Sequence, residues 1–274
     1  MVGSLHSHAL VVDRESTQRA LDGVDFSLER GQICFVLGSN GSGKSTLLRV
    51  LAGLDRPRSG QVTLSGTPVR SMHPRARACQ IAWLSQGLEA PRGIRVRELV
   101  ASARYPRLGP FARLGRADRQ AIDSALEAVD LVSYADRQVG RLSGGELERA
   151  LLARAFAQES DVLLLDEPTA ALDPVHRLAF LSHLHARVRE RSSIAVVATH
   201  DLNLAAQGSD VVLLLDRGKV VAMGPPEQVF VPEHLRVLYG ETFVVGSRWS
   251  EIAQMERPWV LAWDDGRPAT ERDI

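Results

Sequence analysis

Gly38, Ser39, Asn40, Gly41, Ser42, Gly43, Lys44 and Ser45 form a glycine-rich octet closing on a lysine and a hydroxyl, with Thr46 directly after. The pattern G-x-x-x-x-G-K-[ST] suits phosphate binding. Glycines let backbone N–H groups turn inward around phosphate oxygens, and a helix starting there adds the positive end of its dipole. Lys44 then reaches the terminal phosphates and the Ser45 hydroxyl sits on Mg²⁺. The octet reads as a nucleoside-triphosphate site. Of 33 basic residues only Lys44 and Lys219 are lysine. A lysine here, in a chain that otherwise uses arginine, suits a cradle that admits a compact ammonium.

A second chemical feature closes the apolar run from Val162, where Asp166 and Glu167 stand side by side. Successive side chains at a strand's carboxyl end diverge, so the two acids can serve different tasks. Asp166 is expected to hold Mg²⁺, through water, while Glu167 faces the γ-phosphate and polarises an attacking water.

The third feature is Leu142-Ser143-Gly144-Gly145-Glu146, before the helical spacing of Leu147, Ala150, Leu151 and Phe156. A hydroxyl and free N–H groups at a helix start make a second anion site. One compact domain has little use for two such sites. Two copies arranged head to tail do, each nucleotide being clamped between one chain's phosphate loop and the other's Ser143, Gly144 and Gly145.

These groups need particular elements to carry them. Gln32–Leu37 is a β-forming run that stops at the phosphate loop, and Leu47–Leu51 carries helical spacing ended by Gly53 and Pro57. Val162–Leu165 and Ile194–Ala198 are continuous apolar runs, the pattern of parallel strands buried on both faces. Val211–Leu215 and Val220–Met223 flank Asp216–Lys219 as a hairpin. Ala117–Val132 has helical periodicity. Pro91–Arg119 holds eight arginines against Glu98 and Asp118 and reads as irregular or helical material inserted between sheet elements. After Gly240 comes a tail bearing Trp249, Trp259 and Trp263, polar from Asp264 onward.

Composition sets the outer limits. The 274 residues balance 33 basic against 33 acidic side chains, and 45% are hydrophobic. That describes a folded globular chain, and its neutrality argues against a general polyanion binder. No apolar run approaches the roughly 18–20 residues needed to cross a bilayer. Met1–Asp13 lacks the charged flank and apolar stretch of a secretory signal. Cys34 and Cys79 offer neither a disulfide framework nor metal-site spacing, so a reduced cytosol is expected.

Over residues 20–240 the chain resembles the ATP-binding-cassette ATPases. Gln86, in Trp83-Leu84-Ser85-Gln86, is similar to the family's Q-loop glutamine, which implies contact with Mg²⁺ and the attacking water. Leu142–Glu146 resembles the signature motif, and Asp166 and Glu167 the Walker B aspartate and catalytic glutamate. Pro168–Asp173 resembles the D-loop, and Thr199-His200-Asp201 the switch histidine that contacts the γ-phosphate.

The resemblance implies an α/β P-loop NTPase core with a mainly parallel sheet, an antiparallel β subdomain and an inserted helical subdomain at roughly 87–158. The ATPase domain would span 1–240 and a C-terminal extension 241–274. It implies Mg²⁺-dependent hydrolysis of ATP with Glu167, His200 and Gln86 as catalytic residues. Three departures stand out. Ser39 replaces a frequent proline, and Glu146 the commonest glutamine. Asp13-Arg14-Glu15 lies where the family usually has an aromatic residue stacked on adenine, so either adenine stacks on Arg14 or base selection is loose.

Arg97-Glu98-Leu99-Val100, Ala103-Arg104-Tyr105-Pro106, Asp201–Ala206 and Leu238-Tyr239-Gly240 resemble the branch that powers iron–siderophore, haem and cobalamin importers. Another metal or vitamin importer is the alternative. A soluble cassette ATPase acting on DNA or ribosomes is a further one, though such relatives usually fuse two cassettes or insert coiled coils. The branch implies a second copy of the chain, integral-membrane permease subunits, a substrate-binding protein acting indirectly, and no nucleic acid. It also implies a peripheral position on the cytoplasmic side of the inner (plasma) membrane. The Pro91–Arg119 arginines read as a solvated face, or as attraction to anionic headgroups or acidic permease loops. The Trp-bearing tail reads as packing on its own domain, as a dimer contact or as regulation.

Overall fold

The computed structural model describes residues 3–15, 18–88, 91–109, 112–240 and 243–262. The chain opens with β1 (Leu5–Glu15) and β2 (Gln18–Leu28), then enters a central sheet through β3 (Ile33–Leu37) and α1 (Lys44–Leu51). It returns to the first sheet for β4 (Ser59–Leu64) and β5 (Thr67–Pro68), and crosses back through α2 (Pro74–Gln80) to β6 (Ile81–Leu84). A helical stretch follows: α3 (Val96–Ala101), α4 (Tyr105–Leu108), α5 (Arg116–Glu127) and α6 (Gly144–Ala157). The central sheet resumes with β7 (Val162–Asp166), α7 (Pro174–Arg191), β8 (Ile194–Ala198), α8 (Leu202–Gly208), β9 (Val211–Asp216) and β10 (Lys219–Gly224). Helices α9 (Pro226–Val229) and α10 (Pro232–Tyr239) lead to a hairpin of β11 (Phe243–Ser250) and β12 (Met255–Ala262).

Strand order is β10-β9-β3-β8-β7-β6 in the central sheet and β2-β1-β4-β5 in the antiparallel one. All central pairings are parallel except β9 with β10. The continuous apolar runs have a physical cause in this layering. Every residue of β3, β7 and β8 is buried. Ile33, Phe35, Leu37, Leu163 and Leu165 face a core shared with the helices α3 and α5–α8. Cys34, Val36, Val162 and Leu164 face a second core, which Leu47, Leu48 and Leu51 of α1 share with the antiparallel sheet. Alternation sends each strand's side chains into two cores, so every position is apolar except Asp166 at the end of β7.

Two expectations are corrected. The periodicity predicting a helix over Ala117–Val132 overruns: α5 stops at Glu127. Asp130 takes a left-handed conformation (φ 54°), which short polar side chains tolerate, and the Leu131 N–H returns to the Leu126 carbonyl. Val129 and Leu131 are buried by that turn, while Val132 is exposed. The arginines of Pro91–Arg119 are not all a solvated face. Arg104 is 4% exposed and donates to Asp118 Oδ1 (2.9 Å), the Ala157 carbonyl (2.8 Å) and Glu159 Oε2 (2.9 Å). It thereby ties the start of α4 to α5 and the end of α6. Arg95 and Arg97 do make exposed ion pairs, with Asp136 and Asp123.

The tail packs on its own domain over the described residues. Asn203 of α8 clamps β12, its amide donating to the Val260 carbonyl (2.9 Å) and accepting from the Val260 N–H (2.8 Å). Phe243, Val245 and Val260 join the helical-side core. Trp263 and the polar segment from Asp264 lie outside the described residues. No helix of the described residues is long and apolar enough to cross a membrane.

Candidate active site

The phosphate loop lies between the end of β3 and the start of α1, where the chain reverses under tight steric limits. A Cβ on Gly38 would run into the Leu215 carbonyl. One on Gly43, the helix cap at φ 108°, would meet the Ala20 carbonyl. Only glycine fits either place. Lys44 is nearly buried, its ammonium donating to the carbonyls of Gly38 (2.7 Å) and Ser39 (3.0 Å). Burial pulls its pKa below the usual lysine range, against the opposing charges of Glu167 and Asp166.

The loop forms one wall of a cavity of ≈ 680 Å³. Gly38, Ser39, Asn40, Gly41, Gly43, Lys44, Ser45 and Thr46 line it with Gln86, Asp166, Glu167 and His200. Ser42 does not: it is buried, and its Oγ has no hydrogen-bond partner. Parallel strands explain the convergence, since the ends of β3, β6, β7 and β8 come out on the same edge of the sheet.

Asp166 and Glu167 differ as their positions demand. Asp166 is still in β7 and buried. Burial raises its pKa, the Ser45 hydroxyl pulls it down, and the neighbouring Glu167 charge adds to the rise. Glu167 has left the strand and sits at φ 51° with its N–H on the Ala198 carbonyl (2.9 Å). A left-handed glutamate is strained backbone of the kind concentrated at working sites. Its Oε2 meets His200 Nδ1 at 3.0 Å. A carboxylate only accepts, so Nδ1 carries the hydrogen and Nε2 faces away.

Asp166 Oδ1 is buried without a hydrogen-bond partner. Beside the Ser45 hydroxyl and the Gln86 amide, that orphaned oxygen completes an all-oxygen set suited to a hard cation such as Mg²⁺. Among the described residues no cluster of three His, Cys, Asp or Glu offers a full metal cage. Mg²⁺ commonly takes one or two protein groups together with substrate phosphates.

Ser143, Gly144 and Gly145 are not brought to the cavity holding Lys44. Ser143 caps α6, its Oγ accepting from the Glu146 N–H (3.3 Å) while its own N–H donates to Glu146 Oε2 (2.7 Å). Glu146 in place of glutamine thus completes a capping box. Gly144 lines a separate cavity with Gln86, Asp166 and Glu167. The segment after Glu167 is laced to both sides. The Ala171 N–H donates to Glu148 Oε2 of α6 (2.9 Å). Arg177 donates to the Leu172 carbonyl (2.9 Å) and to Asp201 Oδ2 (2.9 Å), next to His200.

Two lining residues complete the cavity. Arg14 does line it and reaches over Gly41. Tyr239 lines it too. The sequence marked Tyr239 only as part of Leu238-Tyr239-Gly240, with nothing to signal its place in the cavity.

Known proteins resemble this chain in sequence and in fold. Residues 21–170 match the family model described as ABC transporter. The chain is 39% identical over 209 residues to the probable siderophore transport system ATP-binding protein of Bacillus subtilis, covering 76% of each chain. It is 41% identical over 242 residues to the hemin import ATP-binding protein of Nocardia farcinica, covering 86% of this chain and 82% of that one. Among solved structures, an ABC transporter described as metal-chelate type, in an inward-facing conformation, superposes with a TM-score of 0.80 at 27% identity. That match covers 97% of this chain and 99% of the other.

Proposed function

The chain belongs to the ABC transporter family, and from that membership we propose that it is the ATP-hydrolysing subunit of an importer for an iron–siderophore, haem or cobalamin-type substrate. The observation that carries the reading is one cavity gathering Lys44, Gln86, Asp166, Glu167 and His200 at the ends of parallel strands. The relatives named for siderophore transport and hemin import support the cargo class.

In this reading the loop N–H groups of residues 38–46 and the Lys44 ammonium hold the phosphates. Ser45, Asp166 and Gln86 would hold Mg²⁺, which would supply charge neutralisation to the phosphates. Glu167 orients the attacking water and accepts its proton. His200 donates from Nε2 to the γ-phosphate, a contact that requires that nitrogen to carry a hydrogen as well. Ser143, Gly144 and Gly145 come from a second copy, which explains why they stand apart from the cavity of their own chain. Residues 1–240 form the ATPase domain, 87–158 its helical subdomain and 241–274 an extension. The dimer sits beneath integral-membrane permease subunits on the cytoplasmic face of the membrane, and a substrate-binding protein delivers cargo to those subunits.

The test is purification from membranes followed by reconstitution with the co-purifying integral-membrane protein in proteoliposomes. Binding protein loaded with a ferric siderophore, haem or cobalamin is expected to stimulate ATP turnover above the unloaded protein. Absence of a membrane partner, with no stimulation by any of the three, would overturn the import reading.

A further inference from the structure

The last rung that joins β7 to β8 is the Glu167 N–H on the Ala198 carbonyl (2.9 Å). Beyond it the chain leaves β7 through residues 167–173 into α7, and leaves β8 through residues 199–201 into α8. Glu167 and His200 therefore stand on two exits that the sheet no longer holds together. Among the described residues two sets of hydrogen bonds join these exits past that rung. One is the Glu167–His200 contact itself (3.0 Å). The other is made by Arg177, early in α7. Its Nε donates to the Leu172 carbonyl (2.9 Å) and its Nη1 to Asp201 Oδ2 (2.9 Å).

Both ends of that bridge are anchored. Asp173 caps α7, its Oδ1 accepting from the His176 N–H (2.9 Å), and Phe180, Leu181, Leu184 and Val188 bury the helix in the core. Asp201 uses its other oxygen to cap α8, accepting from the Leu204 N–H (2.9 Å), and its own N–H donates to Thr199 Oγ1 (3.2 Å). Leu172 is buried, and Ala171 before it is held by Glu148 (2.9 Å). His200, between Thr199 and Asp201, is different. Its side chain is 69% exposed, and its one hydrogen bond among the described residues goes to Glu167. With little packed around it, the imidazole takes its direction from the backbone, which Arg177 secures on the Asp201 side. A guanidinium suits this task because its N–H groups diverge within one rigid plane and can meet two acceptors at once.

We propose that Arg177 is a positioning residue for hydrolysis: by tying Asp201 to the Leu172 carbonyl it holds the exits of β7 and β8 at one separation, and so fixes His200 relative to Glu167. Arg177 does not line the nucleotide cavity, so it acts through His200 and not on the nucleotide. The inference rests on the reading of Glu167 and His200 as the groups that meet the attacking water and the γ-phosphate. A displacement of about 1 Å, caused far from the chemistry, can slow a reaction by up to about 10²-fold.

Two substitutions in the full-length chain open the bridge from either side. Arg177→Met removes the donors at similar length. Asp201→Asn keeps one oxygen for the α8 cap and offers Arg177 an NH₂ in place of an acceptor. In each, kcat measured below the thermal midpoint should fall about tenfold, while KM for ATP stays within about twofold of wild type. The double variant should lie about tenfold below wild type and not a hundredfold, because both changes break one contact. Wild-type kcat in Arg177→Met, a raised KM with kcat unchanged, or multiplied losses in the double variant would each overturn the proposal. Should Arg177→Met fail to fold, Asp201→Asn decides alone by the same split between kcat and KM. The two readings separate through His200→Ala. If that variant turns over normally, the role given to His200 has failed. If it is inactive while Arg177→Met keeps wild-type kcat, only the role of Arg177 has failed.

Discussion

Glu167 Oε2 and His200 Nδ1 stand 3.0 Å apart although 33 residues separate them in sequence. They meet because β7 and β8 are adjacent and parallel, with Asp166 in register with Ala198, so the residues just past each strand end emerge side by side. The pair therefore registers the sheet pairing and the nucleotide pocket at once.

Glu167→Gln keeps the shape and loses the base. We expect ATP affinity near wild type and turnover lower by about 10² to 10⁴, the range for removing a general base. ATP should then trap a stable dimer, visible by size-exclusion chromatography. Phosphate release at the wild-type rate would remove Glu167 from its assigned role.

Ser143 lies outside the cavity that holds Lys44, so a working site needs two chains. Lys44→Ala should weaken ATP binding by about 10- to 100-fold, as expected for a charge-assisted contact of roughly 1.5–3 kcal/mol. Ser143→Arg should leave binding intact and block closure. Mixing the two inactive variants creates heterodimers with one intact composite site, and ATPase activity should reappear. A mixture as inactive as its parts would count against head-to-tail pairing.

Arg14 reaches over Gly41 where adenine would need a flat partner. Stacking of a base on an aromatic ring contributes about 1–3 kcal/mol, and Tyr239 is the one aromatic lining the cavity among the described residues. We expect kcat/KM for ATP and GTP to differ by less than about tenfold. A hundredfold preference for ATP, measured by phosphate release, would show that base recognition has another source.

Arg104 joins α4, α5 and α6 through Asp118, Glu159 and the Ala157 carbonyl. Arg104→Met leaves the largely buried Asp118 without its ion-pair partner, while Glu159 keeps Arg191, and should destabilise the fold by about 3 kcal/mol in urea unfolding. The loss should depend on pH. Burial pushes the Asp118 carboxyl up, but hydrogen bonds from Arg104 and the Gly115 N–H, with the Arg104 charge, hold it below its ordinary 3.8. A carboxyl lowered on folding contributes stability that is complete above its unfolded value and is lost as pH falls through the folded one. The gap between wild type and variant should therefore be widest above about pH 4 and close below it. A gap unchanged from pH 7 to pH 3 would contradict this account.

Much of the site was legible because its chemistry is local. The loop at 38–46, the Asp166-Glu167 pair and the capped helix start at Ser143 each lie within one short segment, with residue types dictated by phosphate, metal or helix geometry. The buried strands were equally plain, since a strand feeding two cores is apolar except where it ends. Arg104 and Tyr239 were not legible. An arginine among seven others carries no mark of burial, because its partners come from α5 and from the end of α6. Tyr239 closes α10, and only the return of that helix across β9 and β10 brings it to the cavity that Glu167 also lines. The overrun of α5 has a similar cause: apolar spacing continues through Val129 and Val132, while the left-handed turn at Asp130 decides where the helix ends.

Sequence alone determined the reaction's parts: a phosphate cradle with one of the chain's two lysines, a metal-holding acid, a base and an anion-binding helix start. Tertiary structure alone decided which of these share a cavity. Parallel pairing of β6, β7, β8 and β3 delivers Gln86, Glu167, His200 and Lys44 to one edge, while α6 leaves Ser143 outside it. The physical reason is that motif chemistry depends on covalent neighbours, whereas proximity across a sheet depends on which strands exclude water together.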